Sequence, residues 1–270
     1  ARRCGPARRA QVAPGAIPAG RAVVTSRQEG LGCMVVLRQP GEVFYQGSAM
    51  GAGGATAWVE RVHPESLECS TRSPELAGGP FWPGGVAAHR NGSLYVTFGS
   101  HCHRLDPETL APIASRALPR SRPYNSLLVL PDGSLVMKDF GGGRGSRALP
   151  PGEGSELVVL EPERLEITAR LALPEGSIAR ISESLPADRA TSGRTLVHVV
   201  GDEHMLEVAW DPRRASLSLD ARIRYLTRDG QSFGWDPVIA GGSVWFLDDG
   251  EGSEAFGPSF YGKGVSTAPL

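Results

Sequence analysis

The chain has 270 residues, a formal net charge of −1 and a pI near 6.7, so it lacks the positive field typical of proteins that bind nucleic acid or anionic membranes. Its 35 glycines and 22 prolines argue against a helical bundle and favour short strands joined by turns. No apolar run reaches the roughly 18 residues that a membrane span needs. We therefore expect no nucleic-acid partner and no membrane span.

The N-terminal segment differs in composition from the rest of the chain. Residues 1–28 are rich in Arg, Pro and Gly and lack the apolar stretch of an intact signal peptide. We predict an N-terminal arm at 1–28, in which residues 22–25 could form a closing strand, followed by one domain at 29–270. The cysteines form no CxxC pair, which speaks against a zinc knuckle. Localisation stays open between the cytoplasm and export, and so does the oligomeric state.

The rest of the chain repeats one unit with a period of about fifty residues. The first half of each unit is an apolar run, a tight turn and a second apolar run. The turns carry Pro-Gly at 40–41, Asn-Gly at 91–92, Asp-Gly at 132–133 and Gly-Gly at 241–242. Such dipeptides favour the positive φ angles of tight hairpins, so each pair of apolar runs predicts a β-hairpin.

The second half of the unit is another pair of strands joined at a proline. An alternating strand runs into an acidic residue or a histidine followed by proline, and a polar strand follows. The four copies are WVERVHPESLE (58–68), CHRLDPETLAP (102–112), LVVLEPERLEI (157–167) and EVAWDPRRASL (207–217). Proline presets φ for a turn and cannot donate to a ladder, so it marks the hairpin corner in every copy.

Four antiparallel strands per repeat predict the blade of a β-propeller, and hence an all-β fold. Four blades are complete and the fifth is partial, because residues 250–270 read as a loop. The ring could be a truncated six-bladed propeller, could be closed by the N-terminal arm, or could be open. The predicted blades span 30–78, 79–120, 121–174, 175–230 and 231–270.

One residue of each repeat precedes its innermost strand, where ligand sites of propellers gather at the mouth of the channel. These residues are Glu29, Gly84, Asn125, Ser177 and Asp236. Oxygen ligands of the Glu, Asn and Asp type suit Ca²⁺ or another divalent cation. Alternatively, these polar residues only cap the strand starts and solvate the channel.

Two segments resemble a known family. EGLGCMVVLRQPGEVFY (29–45) and RPYNSLLVLPDGSLVMKD (122–139) are similar to blades of the six-bladed SMP-30/gluconolactonase/paraoxonase-like propellers. The resemblance implies a divalent cation held by Glu29, Asn125 and Asp236, with Asp236 also serving as general base. Ser177 stands where that family usually has another asparagine.

The resemblance predicts a metal-dependent hydrolase that acts on a small-molecule lactone or ester in the channel. The cation would polarise the carbonyl and activate a water, whose proton Asp236 would accept. The candidate substrate-binding residues are Trp82, Ser177, Trp235 and Lys138. Two alternatives stay open, a non-catalytic propeller that binds a ligand or a protein, and a metal-free isomerase or cyclase with an aromatic-lined channel.

Some of these residues have simpler interpretations. Lys138 and Asp139 could form an exposed ion pair, and the two tryptophans could merely pack between blades. His198 and His204 flank a turn of the fourth repeat, where we interpret them as ordinary hydrogen-bonded histidines.

Overall fold

A computed structural model describes residues 34–51, 54–141, 149–184, 192–227, 234–248 and 264–269. Every element with bounds in these ranges is a β-strand. The strands are β1 (Met34–Leu37), β2 (Val43–Gly51), β3 (Gly54–Val62), β4 (Cys69–Arg72), β5 (Pro83–Ala88), β6 (Leu94–Phe98), β7 (His101–Leu105), β8 (Pro112–Ala117), β9 (Leu128–Val129), β10 (Leu135–Lys138), β11 (Glu156–Leu160), β12 (Ile167–Ala172), β13 (Ser182–Ser184), β14 (Thr195–Val200), β15 (His204–Asp211), β16 (Ser216–Arg224), β17 (Val238–Ala240), β18 (Ser243–Asp248) and β19 (Gly264–Pro269). Within the described ranges, no helix is long and apolar enough to cross a membrane.

The strands form five antiparallel sheets in chain order. Blades 1 to 4 are the four-stranded sheets β1–β4, β5–β8, β9–β12 and β13–β16, and blade 5 contains β17–β19. The innermost strands of neighbouring blades lie against one another, β1 against β5 and β13 against β17. The predicted all-β propeller is therefore confirmed, with four complete blades and, in the part of the chain that the structure describes, three strands of the fifth.

One part of the predicted fifth blade is wrong. Residues 250–270 were expected to form a loop, whereas Gly264–Pro269 form β19 and pair with β18 over its whole length. The predicted N-terminal arm and Glu29 lie outside the described residues.

The hairpin turns have the predicted backbone. The turn glycines Gly41, Gly92, Gly133, Gly241 and Gly242 have φ between 58° and 100°. In blades 2 and 3 the turn is closed by paired backbone hydrogen bonds, such as Leu130 N–H to the Ser134 carbonyl at 2.8 Å. The predicted dipeptide turns are thus confirmed.

The proline corners form a second repeated structure. In each, the residue before the proline accepts hydrogen bonds from two backbone N–H groups of the turn; Asp106 Oδ1, for example, accepts from Glu108 N at 2.9 Å and Thr109 N at 2.8 Å. The fifth residue of each turn has positive φ, and in blades 1 to 3 the strand pairing shifts at the end of the ladder next to the turn. These residues are Leu67 (60°), Leu110 (57°), Leu165 (60°) and Ala215 (47°).

The core is divided into layers between blades. Each of four apolar clusters takes side chains from two neighbouring sheets: Phe44 and Val96 share the layer between blades 1 and 2, and Val136 and Val199 share the layer between blades 3 and 4. Equivalent layers join blades 2 and 3, and blades 4 and 5. The outer strands of blades 1 to 4 are largely exposed, as their polar sequences predict.

Candidate functional site

The starts of the inner strands meet around Arg180, which lies two residues before β13 of blade 4. Its Nη1 donates to the carbonyls of Asn125, at 2.5 Å, and Gly84, and its Nη2 lies 3.4 Å from the Pro83 carbonyl. These acceptors belong to blades 2 and 3, so the guanidinium spans three blades. Gly84 has no room for a side chain, because a Cβ would lie 2.3 Å from the Tyr124 carbonyl.

Blade 5 reaches the same point through Asp236. One carboxylate oxygen accepts the backbone N–H of Arg180 at 2.6 Å, and the other lies 3.9 Å from the Arg180 Nε. Both side chains are only partly exposed, so their attraction is less screened than that of a surface pair. Asp236 therefore fixes the inner strand of blade 4 from the neighbouring blade.

Asn125 connects blade 3 to blade 4. Its side-chain nitrogen donates to the carbonyls of Ile178, at 2.6 Å, and Ala179, at 3.1 Å, and its Oδ1 accepts from the Ser126 hydroxyl at 3.1 Å. The side chain is buried. These bonds occupy the amide group, which ties two inner strands together.

Ser177 and Lys138 are buried beside this crossing. The Ser177 hydroxyl donates to the Val200 carbonyl at 2.7 Å. The Lys138 ammonium group donates to the carbonyls of Asp139, at 2.8 Å, and Ser177, at 2.7 Å. Burial lowers the pKa of Lys138 to about 7, although the nearby carboxylates of Asp139 and Asp236 oppose the shift.

The interpretation of Lys138 and Asp139 as an exposed ion pair is wrong. Both side chains are fully buried, and the Asp139 carboxylate pairs with Arg122 and accepts the Glu156 N–H at 2.5 Å. The partners that enclose these two residues lie 17 to 39 residues away along the chain, namely Arg122 and Glu156 in blade 3 and Ser177 in blade 4.

An apolar group, here called the mouth cluster, lies at the same end of the inner strands. Each of blades 2 to 5 contributes one side chain to it. The members are Trp82, Phe140, Ile178 and Trp235. The rings of Trp82 and Phe140 have centroids 4.6 Å apart and planes inclined by 31°, and both tryptophans are partly exposed. The structure thus brings the two predicted tryptophans together.

Of the predicted metal ligands, Asn125 and Asp236 lie in the described ranges, and their contacts do not fit a divalent cation. The Asn125 amide is occupied by protein partners, one Asp236 oxygen accepts from Arg180, and a guanidinium already holds the surrounding carbonyls. A second positive charge at this point would be repelled. Within the described ranges, no three His, Cys, Asp or Glu residues form a group that could hold a metal ion. The third predicted ligand, Glu29, lies outside these ranges.

Arg180 is the functional candidate that the sequence predictions missed. A signal was present, because it is the only charged residue in the otherwise small and apolar stretch 176–182. A charged side chain at the start of an inner strand needs partners, and the starts of the neighbouring inner strands lie within its reach.

Comparison with known proteins gives no family assignment. No family model matches the chain, and no curated protein does. A solved structure named glucose dehydrogenase is similar over 84% of this chain and 81% of its own, at 15% identity and a TM-score of 0.48. A Bacteroides caccae protein of unknown function is similar over 70% of this chain, at 12% identity and a TM-score of 0.45. A structure of BBS1N in complex with ARL6DN is similar over 77% of this chain, at 14% identity and a TM-score of 0.48. The chain spans 61% of the second structure and 56% of the third.

Proposed function

We propose that this protein is a ligand-binding propeller whose site is the mouth cluster together with Arg180 and Asp236. The observation that carries the proposal is the convergence of side chains from four blades at one end of the inner strands. Binding sites in proteins are apolar surfaces with a few fixed polar groups, and this arrangement has that composition.

The ligand class follows from the side chains. Partly exposed indoles offer flat apolar faces, on which a small ring such as a lactone or a sugar can stack. Arg180 and Asp236 beside them provide a donor and an acceptor for ring oxygens and hydroxyls. A compact ring with polar substituents therefore suits the mouth better than a long acyl chain or a peptide.

Metal-dependent hydrolysis of a lactone or ester stays a prediction for the same mouth, with Asp236 as its base. The contacts favour binding over that chemistry, because the Asn125 amide donates to the Ile178 carbonyl and Asp236 accepts the Arg180 N–H. Use of the aromatic channel by a metal-free isomerase or cyclase also stays a prediction.

Binding is tested by tryptophan fluorescence during titration with γ-butyrolactone, a δ-lactone and methyl glycosides. We expect a saturable change with at least one of them, and a Kd raised about 3- to 10-fold in Trp82→Leu and in Trp235→Leu, the usual loss for one aromatic contact. Trp245→Leu is the matched control, since Trp245 lies on β18 and is exposed outside the mouth cluster. A flat titration throughout, or an equal effect of all three variants, would contradict the proposal.

The metal hypothesis is tested by melting the protein with increasing Ca²⁺, Mn²⁺ or Zn²⁺. A cation bound only to the folded state raises Tm with its concentration. We expect no such rise in Tm, because the Arg180 guanidinium already lies among the carbonyls at the inner-strand starts and would repel a cation. A saturable rise that is absent in Asp236→Asn would instead favour the metal-dependent hydrolase.

A further inference from the structure

A second group of reactive side chains lies on blade 4, away from the mouth cluster. Ser184, His198 and Glu207 belong to the successive strands β13, β14 and β15. Val197 and Val199 face the layer shared with blade 3, so His198, which alternates with them, faces blade 5. Glu207 is directly opposite His198 in the ladder and therefore shares this face.

The three side chains form a chain of contacts. The Ser184 hydroxyl lies 2.7 Å from Nε2 of His198, and Nδ1 of His198 lies 3.9 Å from a carboxylate oxygen of Glu207. The imidazole is fully buried, whereas Ser184 and Glu207 are both partly exposed. The serine thus lies at a partly exposed edge of the blade, whereas the imidazole is shielded from water.

Charge determines which nitrogen of His198 carries the proton. Burial lowers its pKa to about 4, so the ring is neutral near pH 7 and has a single N–H. Nδ1 has no hydrogen-bond partner among the described residues, and Glu207 is the acidic group beside it. An N–H at Nδ1 is attracted by this carboxylate, whereas a lone pair would be repelled. Nε2 is then the acceptor of the Ser184 proton.

We propose that Ser184 is a nucleophile toward activated acyl esters, with His198 as its base and Glu207 as a positioning residue. The serine Oγ bonds to the acyl carbon while its proton moves to Nε2. The ester C–O bond breaks, the alcohol leaves with that proton, and an acyl-Ser184 ester remains. Water then attacks this ester through the same base and releases the acid. The order of groups matches the serine, base and carboxylate arrangement of acyl-transfer enzymes.

This site is independent of the proposed function at the mouth. Ser184 follows Arg180 by four residues, which places it about 13 Å further along an extended strand. Loss of either activity therefore leaves the other unaffected, and the two proposals can fail separately.

The test uses the intact chain and a fluorophosphonate probe, in which a serine Oγ displaces fluoride from phosphorus. We expect one label per molecule, located at Ser184 by peptide mass spectrometry of the wild-type protein. Labelling is lost in Ser184→Ala and slowed about 10²- to 10⁴-fold in His198→Gln, the usual contribution of a general base. Ser218→Ala keeps the full rate, because this serine of the same blade contacts Asp220 rather than a histidine.

The role of Glu207 has its own measurement. In Glu207→Gln we expect at least tenfold slower labelling and a move of the His198 proton from Nδ1 to Nε2, read from imidazole ¹⁵N shifts; Glu207→Asp restores the Nδ1 tautomer. An unlabelled but folded wild type, a label at another residue, a label that survives in Ser184→Ala, or wild-type shifts showing the Nε2 tautomer would each overturn the proposal.

Discussion

Lys138 holds an amine where water does not reach it. Two backbone carbonyls receive its hydrogen bonds, yet burial still lowers its pKa from the ordinary 10.5 to about 7. Between these two values the unfolded chain binds one more proton at this position than the folded chain. The free energy of unfolding therefore rises with pH across that window.

The stability of the wild type and of Lys138→Met should consequently diverge with pH. Relative to the variant, the wild type gains up to about 1.4 kcal/mol per pH unit between about pH 7 and pH 10, as one proton is released. Urea titrations of both proteins at half-unit pH steps measure this. Parallel stability curves above pH 7 would show that Lys138 does not titrate there.

The sequence offered Lys138 as a candidate substrate-binding residue but did not predict its environment. The pairing with Asp139 was inferred from adjacency along the chain. The ammonium group instead donates to the Asp139 backbone carbonyl and to the Ser177 carbonyl, which lies 39 residues away on the next blade. Arg180 shows the same limit, since its acceptor at Gly84 is 96 residues distant. Contacts between blades depend on the radial arrangement, which local patterns do not contain.

At the scale of elements, the proline corners store backbone strain in a repeated position. Each corner places a residue other than glycine in the left-handed region, which costs roughly 1–2 kcal/mol for a side chain with a Cβ. At Leu110 and Leu165 the buried side chain offsets this cost, because both fill apolar layers between blades. Ala215 is exposed and has no such compensation.

Glycine substitution separates the two cases. Ala215→Gly relieves the strained φ of 47° and should raise the free energy of unfolding by about 0.5–1 kcal/mol, after the entropy that glycine loses. Leu110→Gly should lower it by about 2–5 kcal/mol, since a buried leucine is removed. Urea denaturation compares them, and a loss in Ala215→Gly similar to that of Leu110→Gly would contradict this account.

Elements were predictable where turn chemistry is local. Asn91-Gly92 and Asp132-Gly133 determine their own φ angles, and each acidic residue before a corner proline accepts nearby N–H groups. Strand β19 lacked such a signal. Its sequence, GVSTAP, has no dipeptide turn directly before it, and its partner β18 ends 16 residues earlier.

At the scale of the molecule, the repeat was sufficient to predict the arrangement of blades, because a four-stranded unit with apolar faces must bury them against its neighbours. The candidate site was predicted only in outline. Alignment of strand starts pointed to Asn125 and Asp236, whereas Arg180 became apparent only from the meeting of blades 2 to 5.

The division of the core between sheets means that the blades are not interchangeable units. Removing residues 121–174 would leave Tyr95 of blade 2 facing Trp210 of blade 4, two large rings shaped to fit the lost sheet rather than each other. The shortened ring would have to repack both surfaces at once. Gain or loss of an internal repeat in such a chain therefore demands coordinated substitutions on either side of the junction.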